Sequence, residues 1–477
     1  MEPRKTFRAW KPYEYVHQGV APADVLPEDD LVFFLLETVS RLDLSALYAD
    51  YERETRGAPP FAVTMMVTLL LYSYSVGVFS SRKIAAASER NLAFLAIVGR
   101  DRPDFRTISD FRKRHLDSLS ELFVQVLQIA GVAGLVKLGN IAIDGSKFRA
   151  NASRHKAMSY GYMQKEVVRL REEIASLLGR AEQTDAEQDA ALGSRRGDEL
   201  PEELKRREDR LAVIEDAMQR LEQEALAKAN AERERRAAVD AQRDASGEKR
   251  RGREPAPVSD EPAAKAQTNF TDPDAKIMKT GKAFDYCFNA QAAVDEEHQI
   301  IVGAEVTNQA NDKQQAVPLA QAVLQNLEAA GIALPQDEDV PAAAGVDAGV
   351  PRKIPATLDN GYFSETNVND LEELGFDPHI STGRKKHNTP SPTQTSGLPP
   401  ESATAKERMT HKLKTPAGRA CYAKRKHIVE PVFGQMKHCR GFRQFLLRGL
   451  ENVAGEWKLL CLTHNLLKIW RAEYALS

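Results

Sequence analysis

The chain has 477 residues, 42% hydrophobic and 28% charged, with a formal net charge of -2. That is enough for roughly two to four domains and a sizeable core, while the balanced charge names no partner by itself. The front carries no apolar run of signal-peptide type, and the apolar stretch 61–71 is too short to span a bilayer, so a cytoplasmic chain is expected.

The charge is unevenly spread. Acidic residues concentrate around 183–240 and basic ones in the last hundred positions, which is the footprint of a nucleic-acid partner on an otherwise neutral protein. Cys287, Cys421, Cys439 and Cys461 have no CxxC spacing, so they make no zinc signature and fit a reducing compartment.

Residues 1–135 read as an all-helical domain. After an extended arm, the acidic run 28–30 opens a helix. Further helices are expected at about 44–53, 61–74, 82–89 and 91–98. A long one follows at 108–130, capped by Ser109 or Thr107. The closely spaced helices of 76–116 resemble a helix-turn-helix arrangement. Arg82, Lys83, Arg106, Arg112, Lys113, Arg114 and His115 are its candidate DNA contacts. The same residues could also be the solvated face of a packing domain.

Residues 136–160 begin an α/β core. The run 137–143 reads as a strand ending in Asp144-Gly145, which is either a plain strand-end turn or the place where α/β folds expose catalytic groups. Lys147, Arg149, Asn151 and Ser153 follow closely and suit phosphate contact. Residues 161–265 form a charged insertion. Met163, Val167, Leu170, Ile174 and Leu177 are matched by Leu204, Leu211, Ile214, Met218, Leu221 and Ala225, which predicts an antiparallel helical hairpin. Residues 237–265 read as a flexible linker whose GEKRRGR patch could brush DNA.

The core resumes over 266–477. Residues 284–294 and 299–306 read as a β-hairpin, 310–330 as a helix, and 355–358 as a short strand that ends in Asp359. Ser364 caps a helix over 365–374, and 376–380 returns as a strand. A cation-rich loop spans 384–419, with Lys385, Lys386 and His387 as possible backbone contacts. The stretch 422–450 then reads as one amphipathic helix with a kink at Pro431. From Lys424 to Arg448 it carries nine basic side chains and one carboxylate, Glu430. That glutamate is either a surface ion-pair partner or the holder of a metal ion beside a polyanion. The element order fits a ribonuclease-H-like mixed sheet, with the all-helical N-terminal domain before it and the helical-hairpin insertion within it.

These features resemble the DDE transposases of bacterial insertion sequences, in the IS4-like branch with a helical N-terminal domain. The stretches that carry the resemblance are 28–116, 139–153, 284–312, 356–366 and 422–450. The family's last helix bears Tyr, Arg, Glu and Lys with gaps of two, three and six residues. Here Tyr422, Glu430 and Lys437 occupy three of those places. Arg425 keeps the gap from Tyr422 and Lys426 keeps the gap to Glu430, so both stand as candidates for the fourth.

The resemblance implies Asp144, Asp359 and Glu430 as catalytic, metal-holding carboxylates for two Mg²⁺ ions, with Mn²⁺ as a substitute. It implies DNA phosphate contacts from Tyr422, Arg425, Lys426, Lys437 and Lys147. The expected partners are double-stranded DNA (element ends and target) and a second copy of the chain at synapsis, in a bacterial cytoplasm beside the nucleoid. A catalytically silent DNA-binding derivative, or a metal-dependent nuclease not engaged in transposition, stands as the alternative.

Overall fold

The computed structural model describes residues 5–17, 19–53, 57–192, 202–247, 255–281, 283–335, 352–383, 395, 397, 399–400 and 402–474. They fall into two compact units, Met1–Asn151 with Ile277–Ser477, and Ala152–Lys276. The N-terminal helices fall in the same unit as the sheet. Among the described residues no helix is long and apolar enough to cross a membrane.

The first unit opens with helices α1 (Pro22–Val25), α2 (Leu31–Arg41), α3 (Ser45–Glu52), α4 (Val63–Ser75), α5 (Ser81–Arg90), α6 (Leu92–Val98), α7 (Phe105–Arg114) and α8 (Leu116–Val132). Their starts follow capping chemistry. Asp30 accepts from the Val32 amide and Asn91 from that of Ala93, each satisfying a donor with no partner inside the helix. The single helix expected over 108–130 is two helices. Asp104, not Ser109 or Thr107, caps the first by accepting from Thr107 N at 2.7 Å. The break falls at His115, whose ring is buried 3.1 Å from Asp50 Oδ2 and packs on Tyr51 and Phe111. Helix α4 is buried on nearly every side, as an all-round apolar helix must be.

Strand β1 (Ile141–Arg149) follows. It starts later than the apolar run because Leu138 stands at φ 53, and the buried Asp295 carboxylate takes the Lys137 and Leu138 amides. It also runs past Asp144 instead of ending there.

The second unit holds β2 (Ala157–Ser159), α9 (Tyr160–Leu192), α10 (Glu202–Ser246) and β3 (Gln267–Asn269). The predicted stripe closes as expected, with Met163, Val167 and Leu170 packed among Ile214, Ala217 and Leu221. Arg171 Nη2 reaches Glu215 Oε1 at 2.7 Å, and Arg207 Nε reaches Glu173 Oε2 at 2.9 Å between the same helices. Helix α10 continues to Ser246, so the first ten residues of the expected linker are helical. The core of the GEKRRGR patch, 248–253, lies outside the described residues.

The sheet resumes with β4 (Lys276–Thr280), β5 (Ala283–Asp295) and β6 (Ile301–Thr307). Then come α11 (Ala316–Ala329), β7 (Ile354–Leu358), α12 (Glu365–Glu373) and β8 (Phe376–Ile380). Its order is β4-β5-β1-β7-β8, with β6 also paired to β5. β5 is antiparallel to β1 and β6, whereas β7 and β8 run parallel to β1. Pro355 is tolerated in β7 because Ile354 N turns to Gly375 O on the β8 side and pairing with β1 begins only at Ala356. An all-helical N-terminal region is thus followed by a mixed α/β region with a central sheet.

The cation-rich loop contains α13 (Ala405–Lys412), closed by a Thr404–Glu407 capping box, while 384–394 lies outside the described residues. The helix expected over 422–450 is replaced by three pieces. α14 (Pro416–Gly434) runs through Pro431, a π-helical turn follows at Gln435–Cys439, and after a non-helical stretch α15 (Leu450–Tyr474) begins. A proline removes one helical hydrogen bond, and the wider turn just after it fits that disruption. Phe148, Phe433, Phe442, Phe445 and Trp457 interlock there, with the Phe433 and Trp457 rings stacked at 6.0 Å. This aromatic core joins β1 to α14 and α15.

Candidate active site

Asp144 lies inside β1, opposite Ala292 of β5, one residue beyond the last parallel pair, Ile143 with Leu358. Asp359 is the residue immediately after Leu358. Two neighbouring strands therefore part at the same level, and each presents an aspartate there. Sequence reading found both residues, although it placed Asp144 at a strand end. What ends at Asp144 is only the pairing on one side.

Each carboxylate is held locally. Asp359 Oδ1 accepts from Gly361 N at 2.7 Å and caps the turn Asn360–Tyr362. Asp144 Oδ1 accepts from Gly145 N, and its Oδ2 from Arg425 Nη1, both at 2.9 Å. Burial is the main influence on Asp144 and pushes it up to about 6, with Asp359 acting in the same direction. Arg425 and the Gly145 amide oppose the rise without cancelling it.

Arg425 is buried on α14, while Lys426 beside it is exposed. The two candidates for one place thus separate: Arg425 serves the aspartate, and Lys426 stays open to solvent. The Arg425 guanidinium, expected on DNA phosphate, is engaged with Asp144 inside the protein. Lys437 is also engaged. Its Nζ donates to Ser146 Oγ at 2.6 Å and to Lys147 O at 2.9 Å, and sits 4.2 Å from the Phe148 ring centre. Burial lowers its pKa to about 8. It fastens the π-helical turn to β1. Lys147 and Tyr422 are half-buried.

Glu430 is exposed on α14 and makes no hydrogen bond or ion pair among the described residues. As the side chains stand, Asp144, Asp359 and Glu430 are not grouped around one point among the described residues.

On the N-terminal helices, Arg82, Lys83, Arg106 and Lys113 are exposed, and the Arg82 guanidinium lies 4.8 Å over the Phe105 ring. Arg112 does not share their exposure. It is buried, donating to Tyr74 OH and Phe79 O at 3.0 Å each, while Tyr74 OH donates to the buried Glu456 at 3.0 Å. His115 is buried too. Both pack the fold and face no solvent.

Sequence reading missed the polar network behind the aspartates. Tyr362, fully buried, donates its hydroxyl to Gln291 Oε1. Gln291 Nε2 donates to Asp312 Oδ1 at 2.9 Å, and Asn289 Nδ2 donates to the same oxygen at 2.6 Å. Alternation in β5 could have marked Asn289 and Gln291, polar residues two apart in an apolar strand. Asp312 lies in a stretch read as structural, whose acids were left out of the expected site, and it precedes α11, which starts only at Ala316.

The pair fits a hard divalent cation. All donors are carboxylate oxygens, and their mutual repulsion is the kind that such an ion relieves. Gly145 and Gly361 leave the surrounding space clear, since an added Cβ would come within 2.8 Å of Asp312 Oδ1 or 2.9 Å of Asp359 Oδ1. As the side chains stand, no three His, Cys, Asp or Glu among the described residues are grouped to hold one ion. Mg²⁺ is commonly held by only one or two carboxylates plus water and substrate phosphate.

Two protein families match the chain. One, described as a transposase domain (DUF772), covers residues 22–114, and the other, described as a transposase DDE domain, covers 386–470. The chain is therefore similar to transposase domains in both its N-terminal helices and its C-terminal helices. No curated protein and no solved structure matches it.

Proposed function

We propose that this chain is a DDE-type transposase of the IS4-like group, which cuts DNA at the ends of its element and joins the freed ends to target DNA. The observation that carries this reading is the pairing of Asp144 and Asp359 where β1 and β7 part, in a chain with transposase-family regions on both sides. The strand order supports a ribonuclease-H-like core, with β1 central, β5 antiparallel to it, and β7 and β8 parallel.

Asp144 and Asp359 supply the hard oxygen donors, and Arg425 fixes the orientation of Asp144 Oδ2. Glu430 enters as the third acid. Its helix packs against β1, β5 and β7 within the matched DDE region, and its free carboxylate faces solvent where DNA would approach. Bound Mg²⁺, with Mn²⁺ as a substitute, would neutralise phosphate charge and make a water more acidic. Lys426 and Lys147 offer cations to the backbone, which position DNA without reading its sequence. Arg82, Lys83, Arg106 and Lys113 offer a second basic face for the element end. Joining two ends calls for two copies of the chain.

The test is cleavage of DNA carrying the element's terminal repeats by the purified chain in Mg²⁺. Asp144→Asn, Asp359→Asn and Glu430→Gln should each abolish cutting and leave DNA binding largely intact. A variant at either aspartate that cut at the normal rate would sink the reading.

A further inference from the structure

We infer that Asp312 is a third aspartate of this site and strengthens its hold on a divalent cation. The inference rests on the transposase reading above and adds a residue to it.

Asp312 lies in the loop before α11, and its two oxygens have different surroundings. Oδ1 accepts from Asn289 Nδ2 and Gln291 Nε2, both on β5 beside the central strand. Gln291 cannot turn away. It is fully buried, its Oε1 takes the Tyr362 hydroxyl, and its backbone oxygen takes Trp457 Nε1 at 2.9 Å. Oδ2 accepts no hydrogen bond among the described residues.

The pinned carboxylate spans the two glycines that follow the paired aspartates. A Cβ on Gly145 would stand 2.8 Å from Asp312 Oδ1, and one on Gly361 would stand 3.4 Å from Asp312 Oδ2. Burial holds the Tyr362 hydroxyl well above its usual range, and Asp312, Asp144 and Asp359 all push it in the same direction. Arg425 answers Asp144, but Asp312 has no ion pair among the described residues.

If its only task were to accept two amide protons, a neutral side chain would serve. A charge left uncompensated beside two other carboxylates is better explained by a cation that all three attract. The net effect of Asp312 is then electrostatic, whether or not it touches the ion.

Asp312→Asn separates the two roles, because the amide oxygen can still accept from Asn289 and Gln291 while the charge is gone. Mn²⁺ binding to the full chain, followed by the resonance of free Mn²⁺, should weaken tenfold or more, with the thermal midpoint little changed. Unaltered Mn²⁺ affinity in Asp312→Asn, with weakened affinity in Asp359→Asn, would overturn the inference and spare the transposase reading. Unaltered affinity in both would overturn both. A measurement on the unmodified chain guards against a misfolded variant. Fe²⁺ with ascorbate and peroxide should cut the backbone near 144, 312 and 359, and cuts confined to 144 and 359 would count against Asp312.

Discussion

Gly145 shows how one missing side chain shapes the site. A Cβ there would stand 2.2 Å from Gln291 Nε2 and 2.8 Å from Asp312 Oδ1. The far end of a flexible side chain could yield, but Tyr362 and Trp457 hold Gln291 from both ends. Gly145→Ala should therefore cost about 1–3 kcal/mol, the usual range for overfilling a packed site. It should also lower DNA cleavage at least tenfold through displaced Gln291 and Asp312. Thermal unfolding and a cleavage time course check this, and normal values in both would mean that the network is soft. The Asp-Gly pair was legible in sequence as a special point. Its cause was not, because the crowding comes from a residue on β5 whose register with β1 no local pattern reveals.

Elements were most legible where local chemistry sets them. Ser364 caps α12 as predicted, accepting from Asn367 N at 3.1 Å, and strand β8 falls on the expected residues. They were least legible where a distant contact overrides a local signal. Asp295 delays β1, buried His115 divides α7 from α8, and the wide turn after Pro431 shortens α14. Gly455 is a case of the same kind in a helix interior, where glycine normally weakens helix formation. Here it admits Leu116 of α8, whose Cγ would stand 2.5 Å from an added Cβ. Gly455→Ala should destabilise by about 1–3 kcal/mol despite the better helix former, and Leu116→Ala by about 2–5 kcal/mol. The double variant should cost clearly less than the sum, because each change makes room for the other. Strict additivity in denaturant unfolding would argue against this contact.

At the scale of the molecule, the chain's ends are joined by buried polar contacts that no sequence window contains. Tyr74 of α4 meets Glu456 of α15 across 382 positions, and Glu456 also accepts from Leu446 N and Leu447 N. His464 of α15 adds a third connection. Its Nε2 lies 3.0 Å from Gln299 O beside β6, and its Nδ1 lies 3.2 Å from Gln435 Oε1 in the π-helical turn. Burial, assisted by Arg440, depresses its pKa from the usual 6.5 to about 3. The unfolded chain takes up a proton as pH falls through 6.5, while the folded chain takes none until about 3. The stability that neutral His464 contributes is thus fully present above 6.5 and is lost progressively towards 3. Buried Asp295 and half-buried Glu305, with pKa values raised mainly by burial, act in the opposite sense and favour the folded chain as pH falls. The midpoint of the unmodified protein alone therefore cannot isolate the histidine. Comparison with His464→Asn does so, because the amide takes up no proton. The variant should be less stable near neutral pH, where it lacks the fitted ring. Around pH 5 the gap should narrow by about 2 kcal/mol, the cost of leaving the histidine unprotonated roughly 1.5 pH units below its unfolded value. Thermal unfolding of both proteins at the two pH values measures the change, and a gap that stayed constant would show that His464 is not held neutral.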